Sequence, residues 1–514
     1  MTVVDRVEPA PVVLGLDGLT VDDVHRVAVE RAPLELTRDV VARLEAGRGV
    51  VDQALAAGKL IYGLNTHLGH GRDTPVSLEE LAMWQVRMVV VHAGGVGEPL
   101  PDEAVRAMMV ARVAGFARGG SGVHPDLCRT LLEMLNAGVH PIVPEVGSVG
   151  AGDLMHLAAI GMVAIGQGSA RYGEEVLTGA EAMARAGLTP AVLRAKDGLA
   201  VISANATSIG LGALVMRRAA EVADLADEVA ALTFEALSAN LSPFDEEAAR
   251  AKPFRGQITT AARVRRLLRG SYLSDPETIV SVQDALSLRT VPQVHGALRD
   301  QLAYTQQAVE VELNAQADNP LVSVETGRIF STGNFSPMTM AIALEGLRVA
   351  LAHVGLLAER RAHKVANLLF ERLVLGADGD EPATLMVPGL LTYSAAAVLA
   401  ELRHLANPVT LNCPPLDADF EDHASLAPLA VTTTTQCLDR LETILLIEAM
   451  TAAQTIVLLQ PAPRLGEGTA ALYDYLLQTL GRPEGNASGA DAVAAVRAAL
   501  RGRPRPSIEE VANP

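Results

Sequence analysis

A mainly α-helical protein is predicted from three features of this 514-residue sequence. Aromatic residues make up only 3% while apolar residues reach 49%, so the core must be packed by Ala, Leu and Val. Ala and Leu are strong helix formers. Apolar positions recur at i, i+3, i+4 and i+7 through long segments, the spacing of one buried helical face. Several of these segments outrun an ordinary globular helix, which points to a bundle of long antiparallel helices.

Taken in order, residues 19–45 read as two short helices broken by Pro33, and 53–59 as another. Tyr62–His70 is a polar, Gly-rich loop. Residues 78–91 are helical and carry the only tryptophan, Trp84; the Gly-rich stretch 92–99 ends them. Helices follow over 103–118 and 125–137. The stretch 144–154 then holds Gly147, Gly150 and Gly152, and a loop so dense in glycine brings backbone into close approach. Asp153 opens a helix over 154–165, where an acid suits the helix start. Residues 168–177 suggest a hairpin. From about residue 203 come the long segments: 211–239, 281–314, 338–375, 396–405 and 429–459. Residues 483–490 set off a last helix, and 503–514 read as a loose tail. Two domains are expected, 1–202 and 203–514.

The net charge is −18. That argues against nucleic acid or an anionic membrane as partner, because both need basic patches. Cys128, Cys413 and Cys437 have neither metal-site nor disulfide-framework spacing, so no metal is expected and a reducing cytoplasm is the simpler setting. Residues 1–15 lack the basic start of a signal peptide. Residues 155–166 are too short to cross a bilayer, and 338–357 are interrupted by Glu345 and Arg348.

Several strings, in order along the chain, resemble those of the histidine, phenylalanine and tyrosine ammonia-lyases and aminomutases. They are Tyr62-Gly63-Leu64-Asn65-Thr66, His92-Ala93-Gly94-Gly95-Val96-Gly97-Glu98-Pro99-Leu100 and Gly198-Leu199-Ala200. Gln283-Asp284 with Ser287-Leu288-Arg289, Pro292-Gln293-Val294-His295-Gly296, Glu312-Leu313-Asn314 with Asp318-Asn319-Pro320-Leu321, Gly333-Asn334-Phe335 and Glu421-Asp422-His423 continue the series. The resemblance implies an ammonia-lyase-like fold with an N-terminal lyase domain, a long helical bundle and a homotetramer whose sites combine residues of several subunits.

It also implies site residues. Tyr62 is expected as acid/base, which requires neighbours that lower its pKa. His92 and Glu421 are the expected catalytic partners. Arg289 is the expected carboxylate clamp, since a guanidinium offers a bidentate fork. Asn65, Asn319, Phe335 and Leu286 are expected at the substrate, and so are Ser203 and Asn205 (an ungapped alignment puts the family's asparagine on Ser203). The family's electrophile is a methylidene-imidazolone made from Ala-Ser-Gly within G-S-V-G-A-S-G-D-L. Here the string is Gly147-Ser148-Val149-Gly150-Ala151-Gly152-Asp153-Leu154, with no serine between Ala151 and Gly152. No prosthetic group is expected from this degenerate loop. Further departures are Leu286, Ser336, Phe420 and His156. Three readings stand: acid–base chemistry on a small carboxylate-bearing substrate that needs no electrophile (elimination, addition, isomerisation or cyclisation); an ordinary carbon–nitrogen lyase or aminomutase on a histidine- or tyrosine-like amino acid; and a non-catalytic binding or partner subunit.

Overall fold

The computed structural model describes residues 9–374, 390–411, 413–481, 488–501 and 503. Helices dominate, as the aliphatic periodicity predicts. By contacts the chain divides into two units, but not at residue 202. The first comprises Met1–Arg217, Thr305–Leu344 and Pro408–Thr432, and the second Arg218–Tyr304, Glu345–Asn407 and Thr433–Pro514. Both units are therefore discontinuous in sequence.

In the first unit a short parallel pair, Val12–Leu14 with Leu34–Leu36, flanks the helix Val21–Ala28. Thr20 and Asp23 form a capping box at the start of that helix, satisfying N–H groups it would otherwise leave bare. One helix, Arg38–Ala56, covers the predicted 38–45 and 53–56 together. The helix Asp102–Ala117 is buried along nearly its whole length, which its Ala, Met and Val content allows. Pro125 begins the next helix at a position with no hydrogen bond to lose, and Gly138, at φ 75°, ends it. The predicted hairpin forms from Ser169–Tyr172 and Glu175–Thr178, with His140–Pro141 beside it. Val96–Pro99 pairs antiparallel with Pro144–Val146, so the Gly-rich break after residue 92 and the central loop run side by side.

In the second unit Phe234 and Phe244 meet edge to face at 4.9 Å in a core with Leu268 and Leu273. The predicted helix 281–314 is interrupted: a turn of helix, Leu286–Arg289, precedes Val291–Leu313. Pro292 explains the break, because proline disfavours helix at the residue before it. The helix from Met338 ends at Val374; Leu375, like 483–487 and 504–514, lies outside the described residues. The window of Asp197–Leu237 that is apolar enough to cross a membrane is 89% buried inside the protein, so its apolarity serves packing.

A buried ionic cluster fixes this unit. Asp227 is fully buried and accepts from His295 Nδ1 at 2.8 Å and Arg299 Nε at 3.2 Å, with Arg263 Nε at 3.4 Å. Burial alone would raise its pKa, but Arg299, His295 and Arg263 hold it down at about 2. A carboxyl lowered from its ordinary 3.8 stabilises the fold wherever it is ionised, and that contribution is lost as pH falls from about 4 towards 2. Acid unfolding should therefore remove roughly 2 kcal/mol through this group. Urea titrations of wild type and Asp227→Asn over that range should show a shallower acid limb for the variant.

Candidate active site

The Tyr62 loop, the end of the helix Leu81–His92, the central loop and the turn after Leu416 close round one cavity of about 870 Å³. All its lining residues belong to the first unit. In the first loop, Gly63 and Gly69 turn the chain at φ 64° and 57°. Asn65 accepts from Ile61 N at 2.8 Å and donates to Lys59 O at 2.9 Å, closing the loop on itself. Tyr62 Oη accepts from Gly69 N at 3.2 Å. His67 and Trp84 meet with ring planes tilted by 51° and centroids 4.3 Å apart.

The opposing turn is tethered to this loop. Asp417 accepts from His70 N at 2.8 Å, and the Arg72 guanidinium lies 4.7 Å from the Phe420 ring centroid. Asp417, Ala418 and Asp419 are all left-handed, at φ 49°, 54° and 64°. The turn closes through Leu416 N to Glu421 O at 2.8 Å and Glu421 N to Leu416 O at 3.1 Å. That closure sets Glu421 at the cavity.

The central loop is braced on every side. Val149 O accepts from Leu426 N and Gly150 O from Ser425 Oγ, both at 2.8 Å. Gly150 needs to be glycine: at φ 80° an added Cβ would strike Ser425 Oγ. Asp153, fully buried, accepts from Ser148 Oγ at 2.7 Å, Ser208 N at 2.8 Å and Ser208 Oγ at 3.0 Å. It stands at the N-cap of the helix Leu154–Ala164 but makes no capping bond. The helix thus starts where the sequence places it, with the Asp153 carboxylate bracing the loop instead of capping the helix. Ala151 faces the cavity.

The electrostatics are distinctive. Burial, and then the charges of Glu421 and Asp417, push Tyr62 above its ordinary pKa, against the Gly69 hydrogen bond and Arg72. Burial and Asp417 also raise Glu421, while His92 opposes them. His92 Nδ1 lies 2.7 Å from Met88 O and must donate to it, which fixes the ring and leaves Nε2 as its uncommitted nitrogen. A protonated phenol, a carboxylate of increased basicity and an imidazole thus share one cavity. Such a set can take and return a proton.

The sequence profile described as "Aromatic amino acid lyase" matches residues 19–478. This chain belongs to the aromatic amino acid lyase family. It is 36% identical over 465 residues to a histidine ammonia-lyase of Caldanaerobacter subterraneus subsp. tengcongensis, covering 90% of this chain and 91% of that one. Among solved structures it resembles the ergothioneine-degrading enzyme ergothionase of Treponema denticola, crystallised with desmethyl-ergothioneine sulfonic acid. That match has a TM-score of 0.89 and 29% identity, covering 96% and 98% of the two chains. The tyrosine aminomutase of Streptomyces globisporus gives 0.86 and 32%, covering 96% and 97%.

For this lyase-family chain the structure brings Tyr62, His92, Glu421, Ser203, Asn319 and Phe335 to one cavity, as expected from the sequence. Asn319 is partly committed, accepting from Thr332 N at 3.0 Å. Four expectations change. Asn65 braces its own loop and does not line the cavity. Asn205 is buried beneath the cavity's floor, accepting from Gly152 N at 3.1 Å and donating to Phe335 O, whereas Ser203 is the lining residue. The neighbours of Tyr62 raise its pKa where an unaided base needs it lowered. Leu286 and Arg289 lie in the second unit and do not line the cavity. Leu286 is exposed there, and Arg289 has a buried Nε with no hydrogen-bond partner. Asp417 and His67 were missed as lining residues. The charge run Asp417-Ala418-Asp419 just before Glu421 was the available signal for Asp417.

Proposed function

We propose that this chain is a lyase-type enzyme that cleaves a carbon–nitrogen bond by acid–base chemistry alone, on a small carboxylate-bearing substrate. The observation that carries the reading is the meeting of Tyr62, His92 and Glu421 at a cavity floored by Ala151, where no serine follows. The family's prosthetic group needs a serine hydroxyl between Ala151 and Gly152. The nearest serine in the loop, Ser148, is committed to Asp153 and to Gly150 N at 3.0 Å. The residues present do not fit the group. In this reading Glu421 takes the phenolic proton of Tyr62, and Tyr62 takes a proton from the substrate's β-carbon. His92 orients the side chain. Arg289 keeps the carboxylate role that the resemblance gives it, in the homotetramer expected of the family.

The likeness to a histidine ammonia-lyase over 90% of the chain favours a second reading, ordinary ammonia elimination through a self-made electrophile. Intact-mass measurement with near-ultraviolet absorbance separates the two. The first reading expects the mass of the encoded chain and no band beyond the aromatic side chains. A mass lower by whole waters, with a new band, would establish the second.

A further inference from the structure

The cavity's charge is one-sided. Asp417, Glu421 and Asp422 line it, and its lining contains no lysine or arginine. Asp417 is held by His70 N, but among the described residues the carboxylates of Glu421 and Asp422 have no hydrogen-bond partner. The rings of Tyr62, Trp84, Phe335 and Phe420 line the same cavity. Phe420 already carries a cation, the Arg72 guanidinium at 4.7 Å. Carboxylates attract positive charge, and ring faces do so without needing a donated proton. The lining therefore suits a bulky cation, and its rings can hold one that has no N–H to offer.

The chemistry points the same way. A base strong enough to remove a β-proton first takes a proton from a primary ammonium, and the resulting amine is a poor leaving group. A quaternary nitrogen has no proton to give and departs as a neutral tertiary amine. We propose that the substrate is a quaternary ammonium betaine, an aromatic α-amino acid whose nitrogen bears three alkyl groups. This rests on the elimination reading above. The β-carbon C–H bond breaks with its proton passing to Tyr62. Its electron pair forms the Cα–Cβ double bond, and the Cα–N bond breaks with its pair leaving on nitrogen. The products are an α,β-unsaturated carboxylate and a tertiary amine, and the proton taken by Glu421 is released to solvent. The substrate's charge also assists its own reaction: burial and the Glu421 and Asp417 charges raise the phenol, and a fixed cation among them acts in the opposite direction.

The test uses the full chain and the Nα-trimethyl betaines of histidine, tyrosine and phenylalanine, together with ergothioneine. The parent amino acids and carbon isosteres with a tert-butyl group in place of trimethylammonium serve as controls. Calorimetric affinity and release of trimethylamine are measured. At least one betaine should bind roughly tenfold or more tighter than both its parent and its isostere. It should also release trimethylamine in equal amount with the unsaturated acid. If the isostere binds as tightly, or a parent amino acid loses ammonia while the betaines stay intact, the betaine assignment falls and the elimination reading survives. If no compound loses an amine, both fall.

Discussion

Replacing Tyr62 with phenylalanine should lower kcat/KM by about 10²–10⁴-fold, the range a positioned acid or base contributes. The loss should fall on kcat, because the ring that helps shape the cavity remains. Only the hydroxyl is removed, and its one hydrogen-bond partner among the described residues is the N–H of Gly69. Since Tyr62 is half-buried on a loop, the urea midpoint should move little. Steady-state kinetics on a turned-over betaine, with a denaturation curve beside them, check both halves. A variant that kept full kcat would remove Tyr62 from the proton path and leave Glu421 as the sole base.

Glu448→Ala should be the most destabilising single change described, at about 3–5 kcal/mol for breaking a buried ion pair. Glu448 and Arg361 are both fully buried. Glu448 receives Arg361 Nε at 2.6 Å and Nη2 at 3.0 Å, and also Thr233 Oγ1 at 2.7 Å. Truncation leaves a guanidinium in a buried core where, among the described residues, the Ser287 carbonyl at 3.3 Å is its remaining partner. That bond joins the ion pair to the helical turn bearing Arg289, so the effect should reach function too. Urea unfolding measures the loss of stability. If Arg289 grips the carboxylate, a folded Glu448→Ala fraction should also show a raised KM. The double variant Arg361→Met/Glu448→Met should recover most of the stability, because an apolar pair has no charge to strand.

Much of this was readable from the residues. Helical periodicity located the long helices, since one buried face repeats every 3.6 residues whatever the tertiary context. The same signal could not show that 305–344 and 408–432 rejoin the first unit, which is a matter of topology. Motif order grouped Tyr62, His92 and Glu421, and all three line one cavity. It misjudged Asn65, because an asparagine that bonds its own loop has the same letter as one that faces a ligand. Asn205 sits two residues beyond Ser203, and only three-dimensional structure could assign one to the floor and the other to the lining. The upward push on Tyr62 was hidden because it arises from burial and from Asp417, which is 355 positions away in the chain.

The left-handed triplet ahead of Glu421 has a consequence for how this molecule can vary. Each L-residue in that conformation costs roughly 1–2 kcal/mol, a penalty glycine escapes. Residues 417–419 bear it together, and the grip of His70 on Asp417 is one of the contacts that keep them there. Cutting that grip would let the segment relax and swing its carboxylate aside without touching the carboxylate itself. Ala418→Gly would do the reverse, making the same path of the chain comfortable. Substrate preference could thus drift through the backbone of one short hairpin, while every residue that meets the ligand stayed the same.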